Sequence, residues 1–146
     1  MKFYGTYSHN LDNKGRLVVP ARFREALKEE AILYLMHGFD GALSVYPKIA
    51  FEKEVAFIES LNYRNAEART YARIVLSSIE PLPVDAAGRV TIPAKILKKY
   101  NIGAAVTVIG VGTHLEIWDE AHYELYQAEK LPSFESVASK LGEKDE

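Results

Sequence analysis

The sequence has no cysteine. This excludes disulfides, iron–sulfur clusters and thiolate zinc sites, and it fits a reducing compartment. It also has no apolar run near the ~18 residues that a membrane-spanning helix requires. The start, Met1-Lys2-Phe3-Tyr4-Gly5, has no hydrophobic signal core. A cytoplasmic protein with no membrane partner is therefore expected. Catalytic signatures are missing as well. The four histidines, His9, His37, His114 and His122, show no metal-ligand spacing such as His-Glu-x-x-His. Gly110-Val-Gly112 lacks the third glycine of a dinucleotide-binding loop, and no Gly-x-Ser-x-Gly elbow or Walker A loop occurs. Neither a metal, a cofactor nor an enzymatic activity is implied. The 146 residues, 48% hydrophobic and 26% charged, match one ordinary globular domain with room for a real core.

Net charge is nearly neutral at −2, but it is unevenly distributed. Asp119–Glu146 carries eight acids and three bases. Asp12–Lys28 carries five bases against two acids, and Asp85–Lys99 four bases against one acid. The positive charge therefore falls on two short segments, and those segments resemble each other. Asp12-Asn-Lys-Gly-Arg-Leu-Val-Val-Pro-Ala-Arg-Phe-Arg24 aligns with Asp85-Ala-Ala-Gly-Arg-Val-Thr-Ile-Pro-Ala-Lys-Ile-Leu97. Five of the thirteen positions are identical, where unrelated segments of average composition match at about one. Downstream, Tyr34–Gly38 parallels Val106–Gly110, and Leu43–Tyr46 parallels Leu115–Trp118. The chain is thus an internal duplication.

Each copy predicts the same local structure. Asp12 and Asp85 suit the first position of a turn, where the carboxylate accepts a backbone N–H two residues on. Gly15 and Gly88 supply the positive φ of a three-residue hairpin loop. Entering strands are expected over Phe3–Leu11 and Ile74–Val84, the second confined to a sheet edge by Pro81 and Pro83. Leu17–Val19 and Val90–Ile92 are the return strands. Pro20 and Pro93 end them and open short helices, which bury Phe23, Ala26 and Leu27, or Ile96, Leu97 and Tyr100; Gly103 stops the second helix. A hairpin follows in each copy, Ala31–His37 to Gly41–Tyr46 and Ala104–Ile109 to His114–Trp118. Gly38, Gly41, Gly110 and Gly112 mark the turns. Between the copies, Lys48–Arg73 reads as two helices broken near Asn62. After them, Glu120–Glu129 and Phe134–Leu141 read as helices, with Lys144–Glu146 frayed. The expected organisation is one structural domain over 1–146: repeat 1 at 3–47, a helical insert at 48–73, repeat 2 at 74–119 and a helical tail at 120–146. A unit of about forty residues is too small for its own core, so the copies are expected to pair about a pseudo-two-fold axis with interleaved strands.

The twice-repeated Asp-x-x-Gly-Arg, three β-prone residues and Pro resembles the swapped-hairpin AbrB-like DNA-binding domains. Two copies around a helical insert, with an acidic helical tail, resemble the MraZ family. The resemblance implies an α+β, β-rich double-split barrel of two intertwined pseudo-repeats, with a helical insert and C-terminal helices. It also implies a ring-shaped homo-oligomer and binding to repeated boxes of double-stranded DNA. The function it implies is transcriptional regulation of the bacterial division and cell-wall gene cluster from the nucleoid, with repression as the default. The family's DNA-contacting loop falls on Asn13, Lys14, Gly15 and Arg16, and its Asp-x-x-x-Arg signature on Asp12/Arg16 and Asp85/Arg89.

The residue chemistry permits two roles for each loop arginine. A guanidinium can bond guanine O6 and N7 together in the major groove, while Lys14, a compact charge, suits a phosphate. Gly15 would let the backbone approach a duplex, and Arg22 and Arg24, or Lys95, Lys98 and Lys99, would widen the cationic footprint. Alternatively each arginine folds back on its own aspartate and merely braces the turn. Arg89 stands between these readings, since Ala86-Ala87 offers neither lysine nor amide. Two rival functions remain: an antitoxin or other protein-interaction module acting through Glu120–Glu146, and a purely structural oligomer.

Overall fold

A computed structural model describes residues 2–144 of the chain. The architecture is α+β. Strands β1 (Phe3–Asn10) and β2 (Arg16–Val18) lead into helix α1 (Ala21–Leu27), then β3 (Ile32–His37) and β4 (Leu43–Tyr46). Two helices follow, α2 (Lys48–Glu59) and α3 (Ala66–Ser77). The same order then repeats: β5 (Glu80–Pro83), β6 (Arg89–Thr91), α4 (Ala94–Lys99), β7 (Ala105–Gly112) and β8 (Leu115–Asp119). Helix α5 (Glu120–Lys130), a 3-10 turn (Leu131–Ser133) and α6 (Phe134–Lys144) complete the described chain.

Six strands form one antiparallel sheet in the order β1-β7-β8-β4-β3-β5, and β2 pairs with β6 in a separate two-stranded ribbon. Exchanging the copies (β1 with β5, β7 with β3, β8 with β4) reproduces the same order, so the pseudo-two-fold axis runs between β4 and β8. The expected hairpin within each copy does not form as a ladder. Only its tip closes, through Asp12 N–H to the Arg16 carbonyl at 3.2 Å and Asp85 N–H to the Arg89 carbonyl at 2.9 Å. Beyond the tips, β1 pairs with β7 and β2 with β6. Neither copy can satisfy its backbone or bury its apolar residues alone, and the exchange does both.

Four local expectations need correction. The second entering strand is only Glu80–Pro83; Ile74 lies in α3, which runs on to Ser77. Pro81 and Pro83 do place that strand at the sheet edge, as their missing N–H groups require. Gly110 is a strand residue paired with Gly5, not a turn residue. The register also slips by one from the sequence alignment: Leu115 pairs with Gly110 and Leu43 with His37. Leu33 and Leu35 therefore correspond to Val106 and Val108, and all four are buried. A slip of one moves every side chain to the opposite face, so burial selects this register. Finally, α4 ends at Lys99 and the chain leaves it through Asn101, which takes the left-handed conformation (φ 55°), two residues before Gly103.

The main core lies between the sheet, the ribbon and the short helices, and includes Leu17, Phe23, Leu35, Leu43, Ile92, Val108 and Ile117. Phe23 meets Phe3 and Tyr7 edge-to-face, with ring centroids 5.7 and 5.1 Å apart. The Ala26 side chain lies outside the described residues; Ile96, Leu97 and Tyr100 are half-buried against the core. Alternation along β3 and β4 turns Met36 and Tyr46 to the other face, where α2 and α3 cover them with Ile58 and Val75. The equivalent aromatic of the second copy, Trp118, is covered by α5 through Tyr123 and Tyr126.

His114 stacks on Tyr46 at 4.2 Å between centroids. Burial lowers its pKa from 6.5 to about 4. The unfolded ring takes up a proton near pH 6.5 and the folded ring only near 4. Stability is therefore complete above about pH 6.5 and falls as pH drops towards 4. Urea midpoints measured across that range should decline, and the decline should be reduced in His114→Gln. An equal decline in the variant would remove His114 as its source.

Candidate nucleic-acid interface

The two turn tips are built alike. At the first, Asp12 Oδ1 accepts the backbone N–H groups of Lys14 and Arg16, both at 2.9 Å, and Oδ2 accepts Arg16 Nε at 2.5 Å. At the second, Asp85 Oδ1 accepts the N–H of Ala87 at 2.9 Å and of Arg89 at 2.8 Å, while Oδ2 accepts Arg89 Nε at 2.9 Å. Gly15 and Gly88 close the turns at φ 76° and 77°. The Arg16 N–H, with the Arg16 guanidinium and the Lys14 N–H, lowers the Asp12 carboxyl to about 2 against an opposing loss of hydration. The Arg89 N–H and its companions lower Asp85 likewise. Both braces are therefore ionised throughout the neutral range.

The ion pairs expected as one possible role are thus present, and they use one nitrogen of each guanidinium. Among the described residues, the terminal Nη atoms of Arg16 and Arg89 make no hydrogen bond. The aspartate holds the arginine by Nε and leaves the Nη atoms of a partly exposed side chain without a partner among the described residues.

The ribbon sets the two tips in one frame. Arg16 lies opposite Thr91, Leu17 opposite Val90, and Val18 opposite Arg89. Opposed residues of an antiparallel pair share a face, so Leu17 and Val90 point into the core, where both are buried. Arg16, Val18, Arg89 and Thr91 share the outer face. The two arginines stand at opposite ends of that face, offset by two residues along the strands, roughly 7 Å. Val18, 42% exposed, and Thr91 were not anticipated as members of the site. Their alternation with buried Leu17 and Val90 was the available signal.

The other sequence candidates separate. Asn13 and Lys14 are exposed at the first tip. Gly15 is buried, and its carbonyl accepts Ile92 N–H of the other repeat at 2.9 Å. A Cβ there would lie 2.5 Å from the Ile92 carbonyl oxygen. The close approach that Gly15 permits within the chain is therefore to the other repeat. The Gly88 carbonyl accepts the matching bond from Val19 N–H at 3.0 Å, but its neighbour is a side chain: a Cβ would meet Arg24 Cδ at 2.7 Å. Arg24 thus lies on the second tip and supplies the base that Ala86-Ala87 lacks. Its aligned counterpart, Leu97, sits against Gly15. Arg22 goes elsewhere, its guanidinium reaching the β1 backbone at Gly5. Pro20 and Pro93 cap α1 and α4, each offering its carbonyl to the first helical N–H groups.

The histidines do not converge on this face. His37 Nδ1 bonds the Tyr100 hydroxyl at 2.7 Å, His114 stacks on Tyr46, and His122 packs on Trp118.

Fold and site together define a class: a duplicated α+β protein, intertwined through its own repeats, that presents two aspartate-braced arginines on one short ribbon. The chain matches the family described as "MraZ protein, putative antitoxin-like" over residues 2–74 and 80–144. It is 35% identical over 141 residues to a protein of Mesoplasma florum named "Transcriptional regulator MraZ", covering 97% of this chain and 96% of the relative. It is also similar to the proteins of that name from Heliobacterium modesticaldum, at 37% over 139 residues (95% of this chain, 96% of the relative), and Spiroplasma kunkelii, at 35% over 144 residues (99% of each). The chain belongs to the MraZ family, whose named relatives are transcriptional regulators and not enzymes.

Proposed function

We propose that this chain is a sequence-specific DNA-binding transcription regulator that reads double-stranded DNA through the outer face of the β2–β6 ribbon. The single observation that carries this reading is the shared face of Arg16 and Arg89, each held by Nε with both Nη atoms open. A two-stranded ribbon fits the major groove, and two parallel N–H donors match guanine O6 and N7. Bracing by aspartate leaves less side-chain freedom to lose on binding. Asn13 and Lys14 flank the first arginine for phosphate contact, and Arg24 flanks the second. Val18 offers the apolar surface that meets a thymine methyl.

In this reading repeats 3–47 and 74–119 form a single domain, and the sheet and ribbon together constitute the double-split barrel. The protein acts in the cytoplasm at the nucleoid, as a ring of identical subunits on repeated boxes upstream of its own division and cell-wall gene cluster, by repression. A ring suits such a site. One ribbon makes few contacts, and several tethered ribbons on several boxes gain affinity through effective concentration.

The test is binding to the DNA upstream of the chain's own gene at several salt concentrations, for wild type and for Arg16→Ala and Arg89→Ala. Wild-type affinity should fall steeply with salt. Arg16→Ala should lose roughly 10-fold or more per subunit contact, the cost of one bidentate base pair contact, multiplied across the ring. Arg89→Ala should lose less, because Lys14 and Asn13 remain at the first tip. Undiminished binding in both variants would remove the ribbon as the reading surface.

A further inference from the structure

The helices outside the repeats leave two surfaces uncovered. The first is the C-terminal arm. Every side chain from Phe134 to Gly142 is exposed, yet α6 is amphipathic: Phe134, Val137 and Leu141 fall at i, i+3 and i+7 on one stripe. Phe134 is 67% exposed. Within one chain α6 touches little beyond the turn that precedes it. An eleven-residue helix held by so little is marginal in water unless its apolar stripe is buried.

The second surface is the corner between α2 and α3. Tyr63 is 60% exposed there, with the guanidinium carbons of Arg69 and Arg73 each 5.9 Å from its ring centroid. Arg64 adjoins them. None of these three arginines has a carboxylate within salt-bridge distance among the described residues. Beside the tyrosine lies an open groove of about 510 Å3 lined by Ala72, Arg73, Leu76 and Ser77. The two surfaces are complementary. The segment from Asp119 onward has eight acids and three bases, whereas the corner presents a cluster of unpaired arginines around an aromatic ring. Tyrosine and arginine are the residue types that anchor protein interfaces.

We infer that the α5–α6 arm of one copy docks on the α2–α3 corner of the next, the Phe134 stripe entering the groove beside Tyr63 and the arm's glutamates facing the arginines. This rests on the ring reading above and specifies its interface. Arms pairing with one another would set acids against acids, which opposes association. DNA on the corner would match the arginines but would leave the Phe134 stripe exposed. Because the two surfaces differ, the contact is heterologous: it runs head to tail and closes into a ring where the rotation allows.

The absence of native cysteine makes the test unambiguous. Tyr63→Cys and Phe134→Cys are prepared separately, mixed, exchanged between assemblies and treated with a short bis-maleimide. The mixed sample should give crosslinked dimers, and Phe134→Cys alone should not. By light scattering, Arg69→Glu/Arg73→Glu should reduce the assembly to single chains. Adding Glu124→Arg/Glu129→Arg/Glu135→Arg should restore it, and circular dichroism checks that each variant is folded. Crosslinking of Phe134→Cys to itself would overturn the proposal in favour of paired arms. An assembled Arg69→Glu/Arg73→Glu protein that has lost DNA binding would overturn it in favour of a nucleic-acid surface. Intact assembly in the charge variants with no 63–134 crosslink would overturn it and leave the ring standing. A wild type that is a single chain in solution would overturn the ring reading itself.

Discussion

Gly110→Ala should cost the protein about 3 kcal/mol or more, whereas Gly112→Ala, two residues away in the same strand, should cost only about 1–2 kcal/mol. A Cβ on Gly110 would lie 2.4 Å from the carbonyl carbon of Phe3, 2.5 Å from the nitrogen of Tyr4 and 2.7 Å from the oxygen of Phe3. All three are backbone atoms of the paired strand, so no rotamer change relieves the contact. Relief means parting β1 from β7, and Phe3 cannot move freely. Its ring is fully buried and packs edge-on against Phe23. The loss therefore combines a broken ladder with a disturbed core. Gly112 offers the control, since its added Cβ would meet nothing within 4 Å. Only its φ of 96° opposes a side chain, a strain of about 1–2 kcal/mol. Urea unfolding of the two variants beside wild type measures the difference; equal losses would mean that β1 and β7 do not approach as described.

The two turn glycines should differ in the same way. Gly15 and Gly88 have nearly the same positive φ, so alanine brings each about the same strain of 1–2 kcal/mol. At Gly15 the new methyl would also meet the Ile92 carbonyl oxygen at 2.5 Å, and at Gly88 it would meet the movable Arg24 side chain. Gly15→Ala should therefore cost about 3 kcal/mol in total, and Gly88→Ala about half as much. The functional consequences should also divide. Gly15→Ala strains the bond from Ile92 N–H to the Gly15 carbonyl and so tilts the first tip on the ribbon. Gly88→Ala pushes Arg24 off the second tip. Hydrogen exchange at the Ile92 amide should accelerate in Gly15→Ala and stay near wild type in Gly88→Ala. If both variants lose the same stability and leave that amide protected, the tips are not locked across the repeats.

Much of the local structure was legible in the residues because its causes are local. An aspartate, a glycine three residues on and an arginine next to it specify the turn: every bond that closes it lies within five residues, from Asp12 to Arg16 and from Asp85 to Arg89. Pro20 and Pro93 mark helix starts for the same reason, and Pro81 and Pro83 mark a sheet edge because they lack a ladder donor. The helices around Asn62 were legible from their periodicity, although α3 runs through Ile74 to Ser77 and shortens the expected strand. Helix propensity and an apolar face continue past the expected boundary there, and nothing local stops them before Ser78.

The duplication, the braced tips and the uneven charge were determined by the sequence alone, through short-range hydrogen bonding and composition. Which strand pairs with which was decided only by the tertiary structure. β1 joins β7 a hundred residues away, not β2 beside it, because a copy of forty residues cannot close a core by itself. That exchange gives Gly110 and Gly15 their steric roles, lays Arg24 of one repeat on the tip of the other and brings Arg16 and Arg89 to one face. A local pattern can specify a turn and an arginine after it. Only the pairing of two distant halves sets two such arginines on one face of one ribbon, offset by two residues along its strands.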